Sequence, residues 1–322
     1  MISVRHIVLG LSGALLLSGC FEKEEPIDPY PRGDVEQLSM ELGSKYTHQI
    51  FYDFQQNAVV KTIDRNSWDF AYSSEIGNST IYLNTGNNVY AAYASTNDLS
   101  LVTDTAGLNW MWDWSNGKDD STALVDWKSN DNVIVLDLGR DLDNKVRGFA
   151  KMKLSERNDS LVIQFAMLED QDFQEYVLGK RVGYNRSFFS VESGLEEDIE
   201  PMRDAYDMVF RQYIFYFEEE DVPYSVVGGL NNMHGTRVLE ILDKDFEDIE
   251  LADTANYEFS DARDLVGYDW KAFDLNEGFY VVYPEMNWII QTTEGFFYKF
   301  HFVDFYNTTG DRGYPKIEMK LL

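Results

Sequence analysis

Met233 and His234 are two adjacent donors inside Gly228-Gly-Leu-Asn-Asn-Met-His-Gly235. A thioether and a neutral imidazole are groups that a transition metal accepts, and the surrounding glycines predict a loop whose backbone can lie close to a flat ligand. An ordinary turn would read the same way. A second group is Trp110-Met-Trp-Asp-Trp114. In strand geometry its three indoles share one face, a platform that could stack on a porphyrin or a sugar ring, or merely plug the end of a β-sandwich. The third candidate is Cys20, the only cysteine of the chain.

With one cysteine, a disulfide within the chain is impossible, so the thiol needs another account. Arg5 and His6 precede an apolar run from Ile7 to Leu17 that ends in Leu17-Ser-Gly-Cys20. This is the order of a secretory signal, and the run falls short of the ~20 residues needed to cross a bilayer. Leu17-Ser-Gly-Cys20 resembles the lipobox of bacterial lipoproteins, which implies cleavage after residue 19 and acylation of Cys20. Lys23-Glu-Glu25 resembles the signal that sends lipoproteins of Bacteroidetes to the outer face of the outer membrane. Pro26, Pro29, Pro31 and Gly33 then deny the segment regular structure, so residues 20–34 are expected to be a lipidated tether.

Charge and motifs remove several classes of function. The chain has 56 acidic and 27 basic side chains, a net charge of −29, which repels phosphate backbones and disfavours nucleic acid as a partner. Asp141-Leu-Asp143-Asn144 and Asp243-Lys-Asp245 alternate acids without the glycine and distal glutamate of an EF-hand, so no metal site is assigned. There is no Gly-x-Ser-x-Gly, His-Glu-x-x-His or phosphate-binding loop. No catalytic residue is assigned, and the protein is read as a non-enzyme.

Short alternating segments predict the fold. Tyr46 to Phe54, Ser67 to Tyr72, Val89 to Tyr93, Val133 to Leu138, Arg237 to Leu242 and Gly278 to Tyr283 read as strands separated by turn residues. The expectation is an all-β, antiparallel sandwich or calycin-like architecture. Helices are expected only at Leu195 to Arg203 and Ser260 to Val266, both acid-rich at the start. Gly295-Phe-Phe-Tyr-Lys-Phe-His-Phe-Val-Asp-Phe-Tyr306 and the run to Leu321 predict a closing hairpin, with Pro315 at a sheet edge or beside a bulge. A similar hairpin starts at Gly148-Phe149, 147 residues earlier, and Phe51 and Trp68 are echoed by Phe188 and Tyr206 at offsets of 137 and 138. A duplication with that period predicts two tandem related β domains, 35–178 and 179–322.

Tyr46 to Phe54, Asn66-Ser-Trp-Asp-Phe-Ala-Tyr72, and Gly295 to Tyr306 with Gly313-Tyr-Pro315 resemble the opening, the Trp-Asp signature and the closing hairpin of the HmuY-like haem-binding lipoproteins of Bacteroidetes. The resemblance implies an all-β surface lipoprotein that takes haem and passes it to a TonB-dependent transporter, each half being one such unit. It also implies a clamp of two histidines or two methionines on the iron. Met233 and His234 are the candidates for one ligand. Where the pattern would place the partner, ahead of Tyr283, there is no histidine, and Met286 is the nearest soft donor. A non-catalytic adhesion or glycan-binding lipoprotein with the same fold stays open as the alternative.

Overall fold

Alternation settles the local structure. Ile317 and Met319 are buried while Lys316, Glu318 and Lys320 between them reach towards water, the pattern of a strand with one face in the core. The computed structural model describes residues 33–322; the expected signal peptide, Cys20 and all but the last two residues of the expected tether lie outside the described residues.

The strands of the first half are β1 (Glu36–Ser39), β2 (His48–Asp53), β3 (Ala58–Asp64), β4 (Phe70–Ser73), β5 (Ile81–Leu83), β6 (Tyr90–Tyr93), β7 (Ile134–Asp137), β8 (Phe149–Arg157) and β9 (Ser160–Met167). Those that follow are β10 (Gln174–Leu178), β11 (Arg186–Ser190), β12 (Leu195–Glu197), β13 (Met208–Phe217), β14 (Val222–Asn231), β15 (Arg237–Ile241), β16 (Lys271–Asp274), β17 (Phe279–Val282), β18 (Asn287–Gln291), β19 (Phe297–Tyr306) and β20 (Arg312–Leu321). Two five-stranded sheets, β10-β9-β8-β7-β6 and β1-β20-β19-β18-β15, and two four-stranded sheets, β12-β11-β4-β5 and β14-β13-β2-β3, carry the fold. All the pairings are antiparallel, and the sheets stack as sandwiches rather than closing into a barrel.

Three buried layers hold the stack together. Phe70, Leu83, Leu136 and Phe165 join the first five-stranded sheet to the β4/β11 sheet. Tyr52, Phe210, Trp288 and Phe302 do the same for the second five-stranded sheet and the β2/β13 sheet. Between the two four-stranded sheets, Phe51, Ala71, Phe188 and Val209 form a central core with Trp68 and Tyr206.

The halves correspond strand for strand. When β1–β9 are matched in order to β10–β15 and β18–β20, with β16–β17 as an insertion, each sheet maps onto its counterpart. The register follows: Phe51 faces Val209 as Phe188 faces Ala71, and Tyr52 faces Met208 as Phe189 faces Phe70. Yet the halves exchange their leading strands, since β1 pairs with β20, β10 with β9, β2 with β13 and β4 with β11. The chain therefore does not separate at 178/179, and the described residues form one unit. The closing hairpins match at one residue more than Gly148-Phe149 and Gly295-Phe296 indicate: buried Lys151 faces Val135 and buried Lys299 faces Ile289, an offset of 148. A one-residue slip would have turned the buried face outwards.

Two local expectations are corrected. Among the described residues there is no α-helix, only short 3-10 turns. Leu195–Glu197 instead pairs with β11, and Pro201 follows too closely for a helix to continue. In 260–266 the backbone is spent on tertiary partners: Ser260 bridges Val238, Arg263 N donates to Asn116 O, and Asn231 N donates to Arg263 O. Pro315 lies inside a sheet, between β1 and β19, where a register shift in β19 near Asp304 absorbs its missing donor; of the two expected settings, the bulge is the one found.

Candidate functional site

The Trp-Asp signature builds corners. Asp69 is fully buried; its Oδ2 accepts Val191 N at 2.7 Å and its Oδ1 takes the Arg147 guanidinium at 2.6 Å. Its counterpart Asp207 accepts Phe54 N at 2.9 Å and Thr293 N at 2.8 Å. Burial raises both acids, Asp207 to about 6. Each corner has an asparagine lock. Asn84 Nδ2 donates to Arg65 O and Trp68 O, and Asn232 Nδ2 donates to Arg203 O and Tyr206 O, all at 2.7 Å.

The second lock positions a cluster that sequence reasoning only half found. Asn232 Oδ1 accepts Asn185 Nδ2 at 2.9 Å, and Arg203 N donates to Gly183 O at 2.8 Å, so the loops around 183–185, 202–204 and 232–235 are tied together. Met233 and Met202 are 39% and 52% exposed on two of these loops. Next to Met233, His234 points its Nε2 at Asp204 Oδ1, 3.2 Å away. Arg186 contacts the Met233 sulfur, and Arg203 Nε has no partner. Two thioethers, an imidazole and two guanidinium groups thus share one end of the molecule. Met202 falls in the stretch read as a helix, and its only sequence signal is a methionine beside a proline.

Gly228 and Gly229 do not belong to a ligand loop. They lie inside β14, where a Cβ on Gly228 would meet Gly267 O at 1.8 Å and one on Gly229 would meet Met208 Sδ at 2.8 Å. Their purpose is close backbone packing, and only Asn232 to Gly235 forms the turn.

Met286 is remote from this end. It packs against the second core just before β18, whereas Gly235 lies beside Thr293 just after β18, roughly 20 Å away along the strand. One iron cannot bind both. The indoles are split too. Trp110 stacks on Phe149 at 5.8 Å, while Trp112 and Trp114 approach Tyr216 at 5.5 and 5.3 Å. Apart from the bridge of Met111 to Ala91, this segment is not strand, which removes the common face.

The other two histidines among the described residues are engaged. His301 stacks on Phe246 at 4.2 Å with Nδ1 2.7 Å from Pro284 O, and His48 faces Asp64 at 3.5 Å. A cleft of about 690 Å³ is lined in part by Met167, a residue that sequence reasoning passed over. Asp141, Asp170, Asp172 and Glu192 line it against Lys145 and Arg147, and Arg147 is already paired with Asp69. That wall suits a cation better than a dianionic porphyrin.

Fold and site together define an all-β protein whose strand-anchored loops present soft donors at one end. The chain matches the HmuY protein family over residues 45–319, and it belongs to that family. The match runs through 178/179, so one family unit spans both halves where a unit in each was expected. No curated protein matches the sequence. Among solved structures, apo PinO from Porphyromonas gingivitis aligns at 7% identity and a TM-score of 0.30, covering 90% of this chain and 98% of that one. The apo HmuY analog of Tannerella forsythia aligns at 8% identity and 0.26, covering 90% and 97%. A putative HmuY-like heme binding protein from Bacteroides vulgatus aligns at 8% and 0.24, covering 89% and 94%.

Proposed function

We propose that this protein binds haem at the Met202, Met233 and His234 end and, held on the outer membrane by the acylated Cys20, hands it to a TonB-dependent transporter. Two exposed thioethers on loops tied by Asn232 carry this reading. The donor set fits the group: thioethers and imidazole are neutral axial donors, and Arg186 and Arg203 offer cations for propionates. Bound haem would supply an iron centre that Met202, Met233 or His234 could hold. The protein's part is to hold, shield and release it, without catalysis. Membership of the HmuY family supports haem as the ligand.

Hemin titration of the purified protein tests the reading. A Soret band that grows and saturates is expected, and a wild-type protein with no hemin spectrum would end it. Fractionation tests the anchor: Cys20→Ala should leave the membrane fraction, and a variant that stays there with unchanged processing refutes acylation.

The glycan-binding alternative has its own observation. Trp112 and Trp114 flank Tyr216, and both indoles line an open cleft of about 550 Å³ with Asn116, Lys118 and Asp120. Indole quenching by an oligosaccharide that is lost in Trp114→Ala, with no hemin spectrum, would favour it.

A further inference from the structure

The central core between the two four-stranded sheets is aromatic and aliphatic, yet three arginines enter it. Arg186 on β11 and Arg211 on β13 are 4% and 5% exposed, and Arg263 joins them from the segment beside β14. All three, with Trp68, line both of two small cavities of about 10 and 20 Å³. A buried guanidinium is normally met by a carboxylate, because its charge is otherwise uncompensated in a medium of low polarity. Among the described residues, no carboxylate forms an ion pair with any of the three.

The available hydrogen bonds do not neutralise them. Arg211 donates Nε to Gln212 O and Nη2 to Asn84 Oδ1, both neutral acceptors. Arg186 lies 3.9 Å from the Tyr82 ring and touches the Met233 sulfur. The Nε atoms of Arg186 and Arg263 are out of water and have no partner. Two buried acids share the walls and feel the arginines' charge, but their hydrogen bonds go elsewhere: Glu200 Oε1 accepts Arg186 N at 2.6 Å and Oε2 accepts the Tyr206 hydroxyl at 3.3 Å, while Asp113 accepts Leu83 N at 2.6 Å and Ala123 N at 2.9 Å. Three cations against two such acids leave an excess of positive charge. Burial and mutual repulsion accordingly hold Arg263 down to about 10 and depress Arg211.

We infer that a single halide-sized anion, chloride, is bound in the cavity walled by Arg186, Arg211 and Arg263, where it cross-links the β4/β11 and β2/β13 sheets. Size selects the class. A cavity of 20 Å³ admits one water-sized species, which excludes phosphate, sulfate or a carboxylate-bearing metabolite. The unpartnered Nε donors supply the hydrogen bonds, and the Trp68 and Tyr82 rings line the same cavity. Arg186 is shared with the haem-binding end through the Met233 sulfur, whereas Arg211 and Arg263 belong to this site alone.

Thermal unfolding of the full protein in sodium chloride and in sodium gluconate, at matched ionic strength, separates binding from screening. Saturating chloride should raise the midpoint by about 4 °C over gluconate. Arg263→Met, confirmed as folded by circular dichroism, should lose that difference. Crystals of the wild type grown in bromide should show an anomalous peak between the three guanidinium groups, a measurement that does not depend on the variant folding. Equal midpoints in the two salts, or bromide crystals without that peak, would overturn the site.

Discussion

Asp69 and Asp207 do the same work in opposite halves: each buried carboxylate accepts the backbone amide just beyond the β-strand paired with its own neighbour, Val191 for Asp69 and Phe54 for Asp207. The second oxygen differs, meeting Arg147 in one corner and Thr293 N in the other. Asp207→Ala strands two amides and should cost about 2–4 kcal/mol. Asp69→Ala also leaves Arg147, 6% exposed in its side chain, with only the exposed Glu192 at 3.4 Å as counter-charge and should cost more, about 3–5 kcal/mol. Urea unfolding measures both, and a loss under about 1 kcal/mol in either variant would show that the corner is not structural.

Asp207 also sets a pH dependence. Its folded pKa of about 6 lies above the ordinary 3.8, so across that window the native state keeps a proton that the unfolded chain has released. Stability from this group is therefore present at low pH and is lost as pH rises towards 6, by at most about 1.4 kcal/mol per unit. Subtracting the Asp207→Asn curve from the wild-type curve should isolate a falling slope. A flat difference between pH 4 and 6 contradicts the raised pKa.

Lys271 works in the other direction. Its Nζ donates to Val227 O at 2.6 Å and lies 4.0 Å from the Trp270 ring, and burial depresses it from 10.5 to about 7. Between those values the unfolded chain holds a proton that the native state lacks, so stability rises with pH. Lys271→Met should remove a slope of about 1.4 kcal/mol per unit above pH 7. Guanidinium melts of both proteins at several pH values provide the comparison; parallel curves would mean that Lys271 stays charged in the fold.

A pair of buried lysines repeats this logic across the halves. Lys299 Nζ bonds the carbonyls of Phe246, Glu247 and Ile249, while Lys151 Nζ bonds only that of Val102. Both pin a 3-10 turn against the outer face of a five-stranded sheet. Lys299→Met should cost about 2–3 kcal/mol and Lys151→Met about 1 kcal/mol. Reversed sizes would show that packing rather than carbonyl capping governs these positions.

The strands were legible because alternation is a local property. Tyr46 to Phe54 contains His48–Asp53, and Arg237 to Leu242 contains Arg237–Ile241. The internal repeat was legible for the same reason, as aromatic strands that recur 137 to 147 residues on. The exchange of leading strands was not, because alternation in β2 or β11 says which face is buried but not which neighbour buries it. Acid-rich starts at Leu195 and Ser260 predicted helices, and pairing with β11 and tertiary backbone bonds won over that weak preference. At the site, Met233 and His234 stand out by composition, whereas Met202 joins them only through Asn232, a link no spacing rule contains. Arg186, Arg211 and Arg263 are likewise remote in sequence and meet only when the central core forms.

Haem ligation is the most direct test of the end formed by Met202, Met233 and His234. His234 is held by an exposed aspartate, Asp204, so freeing the imidazole for iron costs about 0–1 kcal/mol, the worth of an exposed ion pair. Met233 must instead part from Arg186, a guanidinium that could turn to a propionate as the sulfur turns to iron. Thioether and imidazole ligands set different spectra and potentials. If Met202 and Met233 are the pair, Met202→Ala and Met233→Ala should each weaken hemin binding at least about tenfold and shift the Soret band, while His234→Ala changes little. If His234 is a ligand, its variant should show the larger loss, and Asp204→Ala should leave binding intact or tighter. Wild-type spectra and affinity retained in the Met202, Met233 and His234 variants would move the haem elsewhere, with Met167 in its acidic cleft as the next residue to replace.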